Sequence, residues 1–230
     1  MKKDHKKPTP QLRDNVWSGS KLFYPHKEVL REIQELKDVQ KIVEYGAGTW
    51  ADLVALHGLW YDVTYADFSP VARKKFQAQL DEKWITDMAV DHSDVLDIQY
   101  DDNQFDLVFH CGLIEHFEEE DRKKIMEGTI RITSKYLIVD FPNTLSGHTI
   151  VKKAMMAMGK RPYGDETNFT YWEFKKWTLE NYPELEFVWF YGRELFPFPR
   201  KFKEWMWRPD IDISAINYFK GALGLIFKKK

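Results

Sequence analysis

The chain has 230 residues, 43% hydrophobic and 30% charged, which is enough apolar content to bury a core and too much for a disordered chain. Its 34 basic and 36 acidic residues leave a formal charge of −2, which excludes a global attraction to nucleic acid. A single cysteine, Cys111, excludes an internal disulfide framework and a multi-cysteine metal site and fits a reducing compartment.

The elements follow in chain order. The basic start, Met1 to Lys7, has no apolar run behind it, and no stretch nears the ~18 apolar residues of a membrane span. The chain is therefore expected to be cytoplasmic. Val29, Leu30, Ile33 and Leu36 recur at helical spacing and predict an amphipathic helix over residues 26–38. Lys41-Ile42-Val43-Glu44-Tyr45 reads as a strand that stops at Gly46. Residues 50–60 read as a helix with Leu53, Leu56 and Trp60 on one face. Val63 to Ala66 is a second strand. Ser69-Pro70 then sets a capping residue before a proline at the first helical position. Ala72, Phe76 and Leu80 continue that helix.

Further strands are expected at Met88–Val90, Phe105–Phe109 and Tyr136–Val139, with a helix through Ile125, Thr129 and Ile132. This alternation, with apolar strands, predicts an α/β fold whose parallel sheet is covered on both faces. Beyond residue 143 a helix is expected over Tyr171–Asn181 and strands over Leu185–Phe190 and Leu223–Phe227. Between the last two, Arg193, Arg200, Lys201, Lys203 and Arg208 outweigh Glu194 and Glu204, interleaved with Phe196, Phe198, Phe202, Trp205 and Trp207. This stretch reads as an elaboration on the same sheet. A pocket wall, a membrane-surface element, base stacking or plain core packing would each suit it.

Glu44-Tyr45-Gly46-Ala47-Gly48 joins a strand to a helix through closely spaced glycines, which permit a tight turn and close approach of a ligand. Gly46-x-Gly48-x-x-Ala51, with Asp67 at the end of the second strand, also fits a dinucleotide fingerprint. Glu44 separates the two uses of the loop. A carboxylate here would repel a pyrophosphate, whereas a ligand with an ammonium group would give it a partner.

The ordered set Glu44-x-Gly46-x-Gly48, Asp67, Asp94-Val95 and Phe105-Asp106-Leu107-Val108, leading to Gly112-Leu113-Ile114-Glu115-His116-Phe117, resembles the class I S-adenosylmethionine-dependent methyltransferases. Tyr136 to Asn143 is similar to the family's element after strand five. The resemblance covers about residues 41–143. It implies a Rossmann-like, seven-stranded, mostly parallel sheet with helices on both faces, and lid insertions after strands five and six. The whole chain, 1–230, is then one methyltransferase domain. Residues 1–40 form an N-terminal helical segment, 41–143 the cofactor-binding core, and 144–184 and 191–216 the segments that cover substrate.

The resemblance further implies that S-adenosylmethionine binds with Glu44, Gly46, Ala47 and Gly48 around its methionine end. Asp67 would take the ribose hydroxyls, Phe68 would flank the adenine, and Asp94 and Val95 would read the adenine edge. Main-chain atoms near His110 and Cys111 would hold the amino acid end. Trp50 stands where the family often has a third glycine.

His116 follows the fourth strand beside the expected methyl group and is a candidate general base, with a structural histidine as the plain alternative. His148 is a weaker candidate. Tyr163 and Asn168, in the turn-rich stretch 159–169, and Trp205 are candidate substrate contacts. The seven histidines show no metal-site spacing, so no metal is expected. The expected reaction is methyl transfer to a small-molecule or lipid-like acceptor. Peripheral membrane contact is open. The competing readings are a nicotinamide-dependent oxidoreductase and a non-catalytic S-adenosylmethionine-binding partner protein.

Overall fold

A computed structural model describes residues 25–49, 51–147, 149, 158, 167, 169–193 and 218–230. The described elements are α1 (Lys27–Glu35), β1 (Lys41–Tyr45), α2 (Asp52–His57), β2 (Asp62–Asp67), α3 (Pro70–Glu82), β3 (Ala89–His92) and β4 (Phe105–Cys111). A single 3-10 turn, Ile114–His116, follows. Then come α4 (Glu119–Ile132), β5 (Thr133–Pro142), α5 (Tyr171–Asn181), β6 (Leu185–Arg193) and β7 (Ala222–Lys229).

The seven strands form one sheet in the order β3-β2-β1-β4-β5-β7-β6. Every pairing is parallel except those of β7, which runs antiparallel to both β5 and β6. The expected fold class is therefore observed. The central strands read as unbroken apolar runs because they are covered on both sides. Val43, Tyr45, Val108 and Leu137 face one cluster, closed by Ile125, Met126 and Ile130 of α4 and Phe174 of α5. Ile42, Leu107, Phe109 and Ile138 face the other, closed by Val29 and Ile33 of α1, Leu53 and Leu56 of α2, and Phe76 and Leu80 of α3.

Ser69 caps α3 as expected, its hydroxyl accepting from the Ala72 N–H at 3.1 Å. One packing expectation fails. The helix after the glycine loop ends at His57, and Trp60 lies beyond it, 89% exposed, in a left-handed turn at φ 69°. The chain reverses direction there, so the i+4 spacing from Leu56 no longer places Trp60 on the apolar face. Chain order reverses between β1 and β4, which are neighbours in the sheet, and the carboxyl ends of strands flanking such a switch are where open α/β sheets hold ligands.

Candidate active site

The loop after β1 is built around backbone conformations that suit glycine. Gly46 and Gly48 sit at φ 65° and 57°. A Cβ at Gly46 would also lie 2.9 Å from Leu113 Cδ1. Asp67, at the end of β2, holds the loop down. Its Oδ2 accepts from the Gly48 N–H at 2.9 Å and its Oδ1 from the Ser69 N–H at 2.7 Å. The Tyr65 hydroxyl donates to the Gly48 carbonyl at 2.8 Å. These bonds tie the glycine loop to the end of β2.

Beside the loop is a pocket lined by Tyr45, Gly46, Phe68, Ser93, Asp94, Val95, Leu96, Leu113 and Phe117. Phe68, Asp94 and Val95 thus share one cavity with the glycine loop. Asp94 is exposed, and its Oδ1 accepts from the Leu96 N–H at 2.9 Å, which turns the chain so that Val95 is buried.

Glu44 lies on the face of the sheet that carries Ile42, next to three other buried carboxylates. It is 1% exposed, and neither carboxylate oxygen has a hydrogen-bond partner. Burial, reinforced by the charges of Asp52 and Asp67, pushes its pKa well above the ordinary carboxylate range, while Arg193 pulls the other way. Each neighbour has its own donors. Asp52, in the first turn of α2, accepts from the His26 N–H at 2.6 Å and from the His26 ring at 2.6 Å. Asp140 of β5 accepts twice from Arg193 of β6, Nε at 2.9 Å and Nη2 at 2.8 Å, across β7. Tyr191 lies over Gly224 of β7, fully buried, and burial with the nearby charge of Asp140 pushes its hydroxyl well above the ordinary phenol range. Among the described residues no group of His, Cys, Asp and Glu side chains forms a metal site.

Of these, His26, Asp52 and Tyr191 had no assigned role in the sequence, and Arg193, read there as part of the basic, aromatic insertion, instead ends β6 and pairs with Asp140. Asp140 left one trace there, a charge inside the apolar run Leu137-Ile138-Val139-Asp140-Phe141. His26 and Asp52 lie 26 positions apart and left none.

His110 and Cys111 end β4. The His110 ring is wholly buried with neither nitrogen bonded, and burial alone lowers its pKa to about 4. Burial, aided by Asp140, raises the Cys111 thiol well above its usual value, so it is a poor nucleophile. His116 sits in the 3-10 turn, partly exposed, its Nε2 3.8 Å from the buried Glu115 carboxylate. Trp50, His148, Tyr163, Asn168 and Trp205 lie outside the described residues.

An unpartnered buried carboxyl, a loop of left-handed glycines and an adjoining, largely apolar pocket that carries Ser93 and Asp94 could hold a ligand with an ammonium group, a ribose and a flat base. Residues 42–135 match the model of a protein family described as "Methyltransferase domain". No curated protein sequence matches the chain. Among solved structures, magnesium protoporphyrin IX methyltransferase from Synechocystis PCC 6803, with bound S-adenosylhomocysteine, is 14% identical at TM-score 0.63, covering 96% of this chain and 83% of that one. A structure described as "Conversion of a Disulfide Bond into a Thioacetal Group during Echinomycin Biosynthesis" is 15% identical at TM-score 0.68, covering 96% and 93%. The small RNA methyltransferase HEN1 is 18% identical at TM-score 0.65, covering 89% of this chain and 24% of that one.

Residues 42–135 thus match a methyltransferase domain, and the fold is that of the class I S-adenosylmethionine-dependent methyltransferases. The cofactor of this enzyme class is S-adenosylmethionine.

Proposed function

We propose that the chain, as one domain over residues 1–230, transfers a methyl group from S-adenosylmethionine to a small-molecule or lipid-like acceptor by in-line displacement. The observation that carries this reading is Glu44, a buried carboxyl at the end of β1 with no partner of its own. The cofactor supplies a methyl group made electrophilic by a positively charged sulfur. Glu44, Gly46, Ala47 and Gly48 bind its methionine end, and the backbone at His110 and Cys111 holds the amino acid. Asp67 takes the ribose, and Phe68, Asp94 and Val95 take the adenine.

The protein's contribution is then alignment, setting the acceptor about 3 Å from the methyl carbon and opposite the sulfur. Segments 144–184 and 191–216 cover the acceptor and exclude water, with Tyr163, Asn168 and Trp205 as contacts. If the acceptor is a hydroxyl, His116 takes its proton, supported by Glu115 beside it. His148 is the second candidate for that role. The small-molecule class is supported by the near-neutral charge of the chain and by the porphyrin-methylating relative. No described helix is long and apolar enough to cross a membrane.

Calorimetric titration with S-adenosylmethionine and with NADH tests the reading. Saturable binding of S-adenosylmethionine alone is expected. Binding of NADH alone would overturn the assignment.

A further inference from the structure

The short turn that carries His116 is fastened from outside on both flanks. The carbonyl of Glu115, just before His116, accepts from the Thr167 N–H at 2.7 Å. The carbonyl of Phe117, just after it, accepts from Arg122 Nη1 at 2.7 Å. The same Nη1 donates its second hydrogen to Thr167 Oγ1 at 3.0 Å. The contacts close a circuit through Glu115, Thr167, Arg122 and Phe117, and His116 lies in the stretch of backbone that the circuit spans.

Arg122 sits near the start of α4, half-buried. Its guanidinium also lies over the Phe169 ring, 5.1 Å from the centroid. Phe169 is itself held. Its carbonyl accepts from the Thr144 N–H at 3.0 Å, and its ring meets Phe141 of β5 and Phe174 of α5 edge to face. These contacts of Arg122 are with a carbonyl, a hydroxyl and an aromatic face, all neutral, while Glu119 beside it pairs with Lys123 at 3.3 Å. The planar, many-donor head of arginine serves here as a fastener rather than as a charge partner.

The fastened turn belongs to the site. Phe117 lines the pocket beside the glycine loop, and His116 is the candidate base. Thr167 falls in the segment 144–184 assigned to the acceptor. A hydrogen bond from a cation to a carbonyl is stronger than a neutral one, so the turn resists displacement on the side that Arg122 holds. α4 does not depend on this contact for its seat, because Ile125, Met126 and Ile130 bury its other face in the core.

We propose that Arg122, together with Thr167, is a positioning residue for methyl transfer: the two clamp the turn at residues 114–117, so that Phe117 and His116 keep fixed places toward cofactor and acceptor. Arg122 touches no reacting group in this account and acts through the two carbonyls that the clamp holds. The inference rests on the reading that the pocket takes S-adenosylmethionine and that His116 faces the acceptor.

The test compares variants of the full chain. Arg122→Met keeps the length of the stem and deletes the donors. Thr167→Val deletes only the hydroxyl. Lys229→Met is the structural control, since Lys229 ties β7 to the far end of α4 through the carbonyls of Ile130 and Thr133, at 2.9 and 2.8 Å. The readouts are the Kd of S-adenosylhomocysteine by isothermal calorimetry, hydrogen exchange of the Thr167 N–H, and the NMR signal of the His116 ring in protein carrying isotope-labelled histidine. The last two are read on the free protein.

Arg122→Met should weaken S-adenosylhomocysteine about tenfold, speed exchange at Thr167 by about tenfold and shift the His116 signal. Thr167→Val should move the same readouts in the same direction, by about threefold in Kd. The double variant should lose less than the product of the two factors, because both substitutions remove one shared contact. Lys229→Met should lower the urea midpoint and leave all the readouts at their wild-type values. If Arg122→Met and Thr167→Val also lower stability alone, the clamp is only structural and the proposal falls. If Arg122→Met does not fold, Thr167→Val decides by the same readouts. If the wild type itself binds no S-adenosylhomocysteine, the cofactor reading fails and the proposal falls with it.

Discussion

A carboxyl group buried without a donor gives up its hydration and receives nothing back from the chain, so Glu44 opposes folding while preparing the site for a cation. Its pKa in the folded chain is raised above the ordinary 4.5. The unfolded chain therefore loses its proton first as pH rises, and the stability present below pH 4.5 drains away above it. Glu44→Gln should stabilise the free protein at pH 7.5 and change it little at pH 4.5. Urea unfolding at the two pH values reads this directly, and equal stabilisation at both would show that the proton is not the cause. Glu44 was legible in the sequence because a charged residue just before a glycine turn has few bland explanations. Asp52, Asp140 and Arg193 were not, because strand alternation gives the face of a residue and says nothing of which distant charge meets it there.

Gly224 shows the same limit for whole elements. Nothing in Ala222-Leu223-Gly224-Leu225-Ile226 distinguishes it from a weak point in a strand. Once β7 is inserted between β5 and β6, the reason is a ring. A Cβ on Gly224 would lie 2.0 Å from Tyr191 Cζ, and the Asp140–Arg193 pair spans the strand beside it. Gly224→Ala should therefore destabilise the protein by about 3 kcal/mol, since the buried ring must move. In a Tyr191→Leu background the same substitution should cost under about 1 kcal/mol. A double-mutant cycle by urea unfolding checks the coupling, and equal costs in both backgrounds would exclude the ring as the cause. The elements that sequence pattern predicted well are those whose signal is local. The central strands are apolar runs, and α5 spans Tyr171–Asn181 as expected, started by a Thr170–Glu173 capping box. The start of β5 at Thr133-Ser134-Lys135 was missed because those residues are polar and become strand only through pairing, as where Thr133 meets Phe105.

For the molecule as a whole, two buried groups at neighbouring strand ends set opposite dependences of stability on pH. His110 is neutral in the fold, its pKa lowered from 6.5 to about 4 by burial. The unfolded chain takes up a proton first as pH falls, so the stability His110 provides is complete above pH 6.5 and is lost on descent toward pH 4. Glu44 has the reverse sign, and its contribution is lost as pH rises above 4.5. The two windows meet above pH 4.5, where the slopes have opposite signs. In the free wild-type protein the two therefore oppose each other. Glu44→Gln should unmask the histidine, so that stability climbs by about 2 kcal/mol between pH 4.5 and 6.5. His110→Leu should leave the glutamate alone and reverse the trend, with stability falling over the same interval. Such changes are a sizeable part of the roughly 5–15 kcal/mol that holds a domain folded. Urea midpoints at pH 4.5, 5.5 and 6.5 for the three proteins decide it, and three parallel curves would mean that neither group titrates as its burial requires.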